Sequence, residues 1–210
     1  MNRAALKTLA KRILPPSAAD MVRDCRAMPV STVLSYLRLR AWRRIGIRSD
    51  RAILRRRRPQ SVLFVCHGNI MRSPMAAEVF RERMEKLGRT VGVGSAGTWT
   101  TNGRKADPRA IGAATEFGIS LDSHRSRSIT AAIVANSDLI CVMDHRNEVD
   151  VLTRFPGAAK KTVLLAGVSA APRASLEIPD PYMLGPEGVS ECYRRLVPAV
   201  DALIRSLGLD

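Results

Sequence analysis

An α/β architecture, a small doubly wound and mainly parallel four-stranded sheet with helices on both faces, is what residues 61–210 of this sequence predict, preceded by a basic extension over residues 1–60. Three observations lead there. From residue 61 onward, short apolar runs alternate with stretches of helical periodicity, the pattern of strands joined by crossover helices. The runs are continuous rather than alternating, as in strands covered on both faces. Charge divides at the same boundary: residues 1–60 hold 16 Lys and Arg against 3 Asp, so +13 of the formal +15 lies there and +2 in the remainder.

Taken in order, MNRAALKTLAKRIL at the N-terminus places Leu6, Leu9, Ala10 and Ile13 on one helical face with Lys7 and Lys11 opposite, until Pro15-Pro16 stops it. A second helix is expected after Pro29, where Val33, Leu34, Leu37, Ala41 and Ile45 recur at helical spacing among Arg38, Arg40, Arg43 and Arg44, with Tyr36 and Trp42 nearby. Two readings stand for this extension. Its helices could lie flat on an anionic membrane surface, or, more plainly, they pack on the main domain or the segment is partly disordered with a solvated charge run. A nucleic-acid partner is disfavoured, because no recognisable reading motif accompanies the charge. Arg55 to Arg58 form a basic hinge.

SVLFV (61–65) is the first strand. PMAAEVFRERMEKLG (74–88) is a helix with Pro74 at its first position and Gly88 beyond its end. TVGVGSA (90–96) is the second strand. Asp107-Pro108 opens a helix running to about Gly118, and Thr130 caps a short one. DLICVM (138–143) and KTVLLA (161–166) are the third and fourth strands, separated by a helix from about Asp144 to Phe155. The last helix begins near Pro186 and turns Val189, Cys192, Leu196, Ala199, Val200 and Leu203 inward. With 46% hydrophobic residues the chain can fill such a core.

Cys25, Cys66, Cys141 and Cys192 are widely spaced and form no CxxC pair, so neither a metal site nor a disulfide framework is indicated and a reducing, cytoplasmic compartment is expected. No apolar run is long enough to span a bilayer, and no secretory signal pattern follows the basic N-terminus.

The chemistry concentrates in VCHGNIMRSP (65–74). A strand entering a glycine-bearing turn that opens a helix makes an oxyanion cradle, because the N–H groups of the turn, from His67 through Met71, converge with the helix N-terminus. Cys66 stands at its mouth, where the helix dipole, the amides and Arg72 should lower its pKa and supply a thiolate. Arg72 can aim a planar fork at two phosphoryl oxygens, which lysine cannot do. Ser73 can donate a hydrogen bond to the thiolate. Gly68 is expected to allow the angles that turn the amides inward, and Asn69 tolerates a left-handed conformation. A lone cysteine ending a buried strand is more often a small core residue, as Cys141 and Cys192 are read to be. Cys66 is distinguished by the Cys-x5-Arg-Ser spacing between strand and helix.

This stretch resembles the phosphate loop of the low-molecular-weight protein tyrosine phosphatases, and the resemblance extends over residues 61–210 through GSAGT (94–98), ADPRA (106–110), SHRSR (123–127), DLICVMDHRN (138–147) and DPY (180–182). It implies a metal-independent, cofactor-free phosphomonoesterase acting on phosphotyrosine in proteins: Cys66 as nucleophile, Arg72 as phosphate clamp and Asp180 as general acid for the departing phenolate. Asp180 rests on the resemblance alone, since an Asp between Pro179 and Pro181 would otherwise read as a turn residue. The resemblance also implies that Ser95 and His124 hydrogen-bond Asn69 and hold the loop in shape, and that Tyr182 lines the slot for the aryl ring.

Four positions qualify it. Met71 stands where many members carry a second cysteine that protects the nucleophile as a disulfide. Met183 replaces a second tyrosine, and Trp99 lies two residues nearer the GSA motif than the usual aromatic of the slot. Ile70 matches the tyrosine phosphatase branch, whereas the arginine phosphatase branch carries threonine. Arsenate reductases of the same fold need two further redox cysteines, and position 148, where Cys141 would find a partner, is Glu. A phosphoarginine phosphatase, an arsenate reductase and a non-catalytic oxyanion binder are the alternatives.

Overall fold

Strand order places a crevice at the C-terminal ends of the strands. The computed structural model describes residues 30–44, 49–55, 58–168 and 176–210. Its elements run α1 (Val30–Arg44), α2 (Asp50–Leu54), β1 (Ser61–Cys66), α3 (Arg72–Lys86), β2 (Gly92–Gly97), α4 (Pro108–Thr115), α5 (Ala131–Ala135), β3 (Leu139–Val142), α6 (His145–Arg154), β4 (Thr162–Leu164) and α7 (Pro186–Leu207), with short 3₁₀ turns at Pro156–Lys161 and Ala166–Val168. The sheet order is β2-β1-β3-β4 with every pair parallel. Because β1 leads to β2 on one side and the chain then returns to β3 on the other, the crossovers diverge beyond Cys66, at the switch point where ligands of such sheets bind.

The alternation of β1 feeds two cores. Val62, Phe64 and Cys66 face a layer that includes Met75 and Phe80 of α3, Ala110 of α4 and Leu196 and Leu203 of α7. Leu63 and Val65 face the opposite layer, with Val134 of α5, Val151 of α6 and Ile140 and Val142 of β3. All six residues predicted to point inward from the last helix are buried.

Some boundaries move. β2 begins at Gly92 rather than at residue 90 and ends at Gly97, because it pairs in register with Ser61 to Cys66. The third and fourth strands are trimmed to Leu139–Val142 and Thr162–Leu164. α4 stops at Thr115, ahead of Gly118 with its left-handed φ of 71°. α3 starts at Arg72, two residues ahead of Pro74. Pro74 is nevertheless at home in that first turn, where a backbone N–H has no partner within the helix. The earliest start has a functional effect: it puts Arg72 and Ser73 on the helix rather than in the loop before it.

Of the basic extension, the predicted helix over residues 1–14 and the residues Ile45, Arg56 and Arg57 lie outside the described residues. α1 is the predicted second helix, and it packs on the domain. Tyr36, Leu39 and Val149 of α6 form a small buried cluster, and Tyr36 meets the His145 ring edge-on at 6.2 Å. Arg43, one of the arginines interspersed along this helix, is buried, with its Nε and Nη2 donating to the two oxygens of Glu148 at 3.1 and 2.8 Å. Its Nη1 binds Asp50, whose Oδ1 in turn accepts the Leu164 N–H at 3.0 Å. Arg40 also turns inward, to Tyr36 and Glu177. Leu34, Leu37 and Trp42 remain exposed, with Arg38 lying over the Trp42 ring at 4.7 Å. Among the described helices, none is long and apolar enough to cross a membrane.

Burial of a whole tyrosine side chain makes α1 part of the cooperative unit. Tyr36→Ala should cost about 3 kcal/mol, measured as a shift in the urea midpoint of the intact chain; an unchanged midpoint would mean that α1 docks without contributing to global stability.

Candidate active site

β1 delivers Cys66 to the C-terminal edge of the sheet, and the chain then curls through residues 67–71 before entering α3. The turn is held from three directions. On the β2 side the Thr98 N–H donates to the Cys66 carbonyl and the Trp99 N–H to the His67 carbonyl, both at 2.9 Å. This closeness requires Gly97: a Cβ there would sit 2.8 Å from the His67 oxygen. Below, the Asp107 N–H donates to Ile70 O at 2.9 Å, and Tyr193 of α7 donates its hydroxyl hydrogen to Met71 O at 3.2 Å.

The third hold is Asn69, fully buried and the one non-glycine residue with positive φ (50°) among the described residues. Its Nδ2 donates to Ser73 Oγ and Ser95 Oγ, each at 2.9 Å. Its Oδ1 accepts the Arg127 N–H at 2.8 Å, and its carbonyl lies 2.7 Å from His124 Nε2, which must therefore be the protonated ring nitrogen. Ser95 and His124 thus both reach Asn69. Gly68 does not have the conformational role anticipated for it: its φ is not positive, and a Cβ there would make only ordinary contact, 3.5 Å from Ile70. The left-handed residue is Asn69, which the amide side chain makes tolerable by closing local hydrogen bonds.

The sulfur of Cys66 is buried, but in polar surroundings. It accepts the Asn69 N–H at 3.2 Å and lies 3.0 Å from Ser73 Oγ. Since Ser73 Oγ accepts a hydrogen bond from Asn69 Nδ2, its own hydrogen can point at the sulfur, 3.0 Å away, or at the more distant Ala96 carbonyl at 3.4 Å. Arg72 is buried entirely, with Nη1 donating to Asp144 Oδ2 at 2.6 Å and to Ile178 O at 3.0 Å, and Nη2 donating to Asp180 Oδ2 at 2.6 Å. Burial alone would favour loss of its proton, but Asp144, Asp180 and Cys66 together push its pKa upward, so the charge is permanent. Asp180 is half exposed, and its Oδ1 accepts the Tyr182 N–H at 3.2 Å.

Ile70 and Met71, assigned to the phosphate loop, contribute only backbone there; their side chains are buried in the core. His67 is partly buried, and burial chiefly, with help from Arg146, lowers its pKa against the opposing carboxylates of Asp150 and Asp180. Around the mouth, Trp99 is 67% exposed, Tyr182 51% and Met183 88%. Arg109 braces this rim: it is paired with Asp107, its Nη1 donates to the carbonyls of Tyr182 and Leu184 at 3.1 and 2.7 Å, and its guanidinium lies 5.7 Å from the Tyr182 ring. Sequence reasoning did not assign roles to Asp144, Arg109 or Tyr193. A signal for Asp144 existed: an acidic N-cap directly after β3, across the switch point from Cys66, with its Oδ1 accepting the Asn147 N–H at 2.7 Å.

Residues 61–210 match the model of the low molecular weight phosphotyrosine protein phosphatases. The chain belongs to that family. Among the family's members, the low molecular weight phosphotyrosine protein phosphatase of Schizosaccharomyces pombe is 35% identical over 151 residues, 70% of this chain and 96% of its own. A protein-arginine-phosphatase of Bacillus subtilis is 30% identical over 146 residues, 70% of this chain and 93% of its own. In structure, the tyrosine phosphatase Wzb of Escherichia coli K30, solved with sulphate, superposes with a TM-score of 0.64 at 30% identity, covering 73% of this chain and all of that one. These low molecular weight phosphatases are thus accounted for almost entirely by the sheet domain.

Two expectations follow from the loop's hydrogen bonds. Asn69→Ala strands buried partners and places alanine at a positive φ, which should destabilise the fold by roughly 2–4 kcal/mol in chemical denaturation. The pKa values of His124 and His67 are both lowered, mainly by burial, from the ordinary 6.5. The native state therefore binds fewer protons than the unfolded chain once pH drops below that value, and the stability present above it is lost as pH falls toward the depressed values. The melting temperature should decline from pH 7 to pH 5, and His124→Gln should flatten that decline.

Proposed function

We propose that this chain hydrolyses phosphotyrosine in protein substrates through a phosphocysteine intermediate. The observation that carries the reading is the convergence on one point of the Cys66 sulfur, held by the Asn69 N–H and the Ser73 hydroxyl, with a buried Arg72 whose fork also holds Asp180. In this reading the Arg72 fork passes from the carboxylates to two oxygens of the phosphoryl group, which lies over the amides of residues 67–71 at the N-terminus of α3. The Cys66 thiolate attacks phosphorus, an S–P bond forms, the P–O bond to the ring breaks, and the proton of Asp180 goes to the phenolic oxygen. Water then attacks phosphorus, its proton passes to Asp180, and the S–P bond breaks to return the thiolate and release inorganic phosphate. Ser73 supports the sulfur as a leaving group in that second step. Each step runs on this chain's own residues.

The relative named as a protein-arginine-phosphatase supports phosphoarginine as the second substrate to test. The apolar Ile70 at the position that separates the two branches favours phosphotyrosine. The exposed Tyr182 and Trp99 offer ring faces to an aryl group.

We also infer peripheral association with anionic lipid for the extension, supported by the +13 charge of residues 1–60 and by the outward Leu34, Leu37, Trp42 and Arg38 of α1. Arg40 and Arg43 do not take part, since both are committed to carboxylates of the domain. Co-sedimentation of the full chain with phosphatidylserine vesicles, strong at low salt and weak at high salt, is the expected result; equal recovery with neutral vesicles would remove this reading.

Purified protein should release phosphate from phosphotyrosine peptides in the presence of a chelator, and prefer them to phosphoarginine peptides. Cys66→Ser should abolish turnover. Asp180→Asn should lower kcat/KM by about 10²-fold or more for esters of poor leaving groups, the range expected for loss of a general acid. A folded Cys66→Ser variant with undiminished activity would end the proposal.

A further inference from the structure

The matched family region begins at residue 61, yet the helix that precedes it is bonded to both segments that hold Arg72. Glu177 lies three residues ahead of Asp180. Its Oε2 accepts from Arg40 Nη1 of α1 at 2.9 Å, and its Oε1 accepts the N–H of His145 at 3.0 Å. His145 is the first residue of α6 and directly follows Asp144, the other carboxylate on Arg72. Arg40 is itself fixed by the Tyr36 hydroxyl at 3.0 Å, and Tyr36 is buried against α6. One turn further along α1, Arg43 grips Glu148 with two parallel hydrogen bonds, and His145 Nδ1 lies 3.2 Å from the same carboxylate. From Glu177 onward the segment leading to the acid has little slack. Ile178 donates its N–H to Met143 O at 2.8 Å and gives its carbonyl to Arg72, and Pro179 and Pro181 flank Asp180 with fixed φ.

We propose that α1 is a positioning element for the acid loop, with the Arg40–Glu177 ion pair setting where Asp180 stands relative to the scissile bond. This rests on the reading of Asp180 as general acid. A displaced Glu177 carries its displacement through Ile178 to Asp180 because the intervening residues are pinned, and small misplacements of a proton donor are costly to rate. Neither Arg40 nor Glu177 touches substrate; both act through Asp180. The pair is mostly buried, with side-chain exposures of 17% and 18%, so solvent screens it less than a surface pair.

The test is leaving-group dependence in the full-length chain. kcat/KM reports the steps through P–O cleavage, where Asp180 donates its proton only if the leaving group needs it. Arg40→Met and Glu177→Met should each lower kcat/KM for phenyl phosphate about tenfold, a fraction of the 10²–10⁴ available from a complete general acid. Each should leave 4-nitrophenyl phosphate, with its good leaving group, within about twofold of the unaltered chain. The double variant should be no worse than either single one, and Arg40→Lys should recover most of the activity on phenyl phosphate. A parallel fall on both substrates, or no fall on either, overturns the positioning role, whatever happens to the melting temperature. Asp180→Asn serves as the reference. If it too shows no steepened dependence on the leaving group, the acid assignment has failed and takes the proposal with it; if it does while Arg40→Met does not, the positioning role fails alone.

Discussion

A guanidinium with no access to water dictates the arrangement of this site. Arg72 cannot lose its proton, and an uncompensated charge in a protein interior would cost several kcal/mol. The fold answers with Asp144 from the end of β3, Asp180 from the loop before α7 and the carbonyl of Ile178 between them. Two separate parts of the chain, Asp144 and the segment 178–180, are therefore drawn to one fork at the C-terminal edge of the sheet. The sulfur of Cys66 adds to the field that holds the charge in place. A fork so supplied is pre-aimed, and in the proposed reaction a phosphoryl group arriving there would meet donors whose desolvation is already compensated.

Around that fork the loop is stiff because the carbonyls of Cys66, His67, Asn69, Ile70 and Met71 and the Asn69 side chain are bonded by groups beyond it. Asn69 links Ser73, Ser95, Arg127 and His124, so a residue in a strained conformation is over-determined by four neighbours. The contacts from Thr98 and Trp99 extend β2 toward the loop, and Gly97 lets the two backbones meet. In this geometry the amides that would cradle an oxyanion are set by the sheet itself rather than by the substrate.

Much of this was legible in a single line of sequence, and the reason is proximity along the chain. Cys66, Asn69, Arg72 and Ser73 fall within one turn and the start of one helix, so their chemistry shows in their spacing. The alternation of apolar runs likewise announced a sheet covered on both faces, and β1 does feed two cores. What escaped depends on pairs far apart in the chain. Asp144 meets Arg72 across 72 residues, and Arg43 meets Glu148 across 105. No local pattern marks such a partner: along the sequence Arg40 and Arg43 are two arginines of a basic run like their neighbours, and only the distant acids single them out. Gly68 erred the other way, since a glycine in a tight turn invites a conformational role that the neighbouring Asn69 in fact takes.

The rim contrasts with this rigid floor. Trp99, Tyr182 and Met183 present their side chains to solvent, and Arg109 steadies that stretch largely through main-chain carbonyls, which any residue supplies. Side chains at the entrance are thus exchangeable at little cost to the fold, while those below are not. Over evolutionary time, or in a designer's hands, selectivity for the peptide around the phosphorylated residue can drift while the bond-breaking apparatus stays as it is.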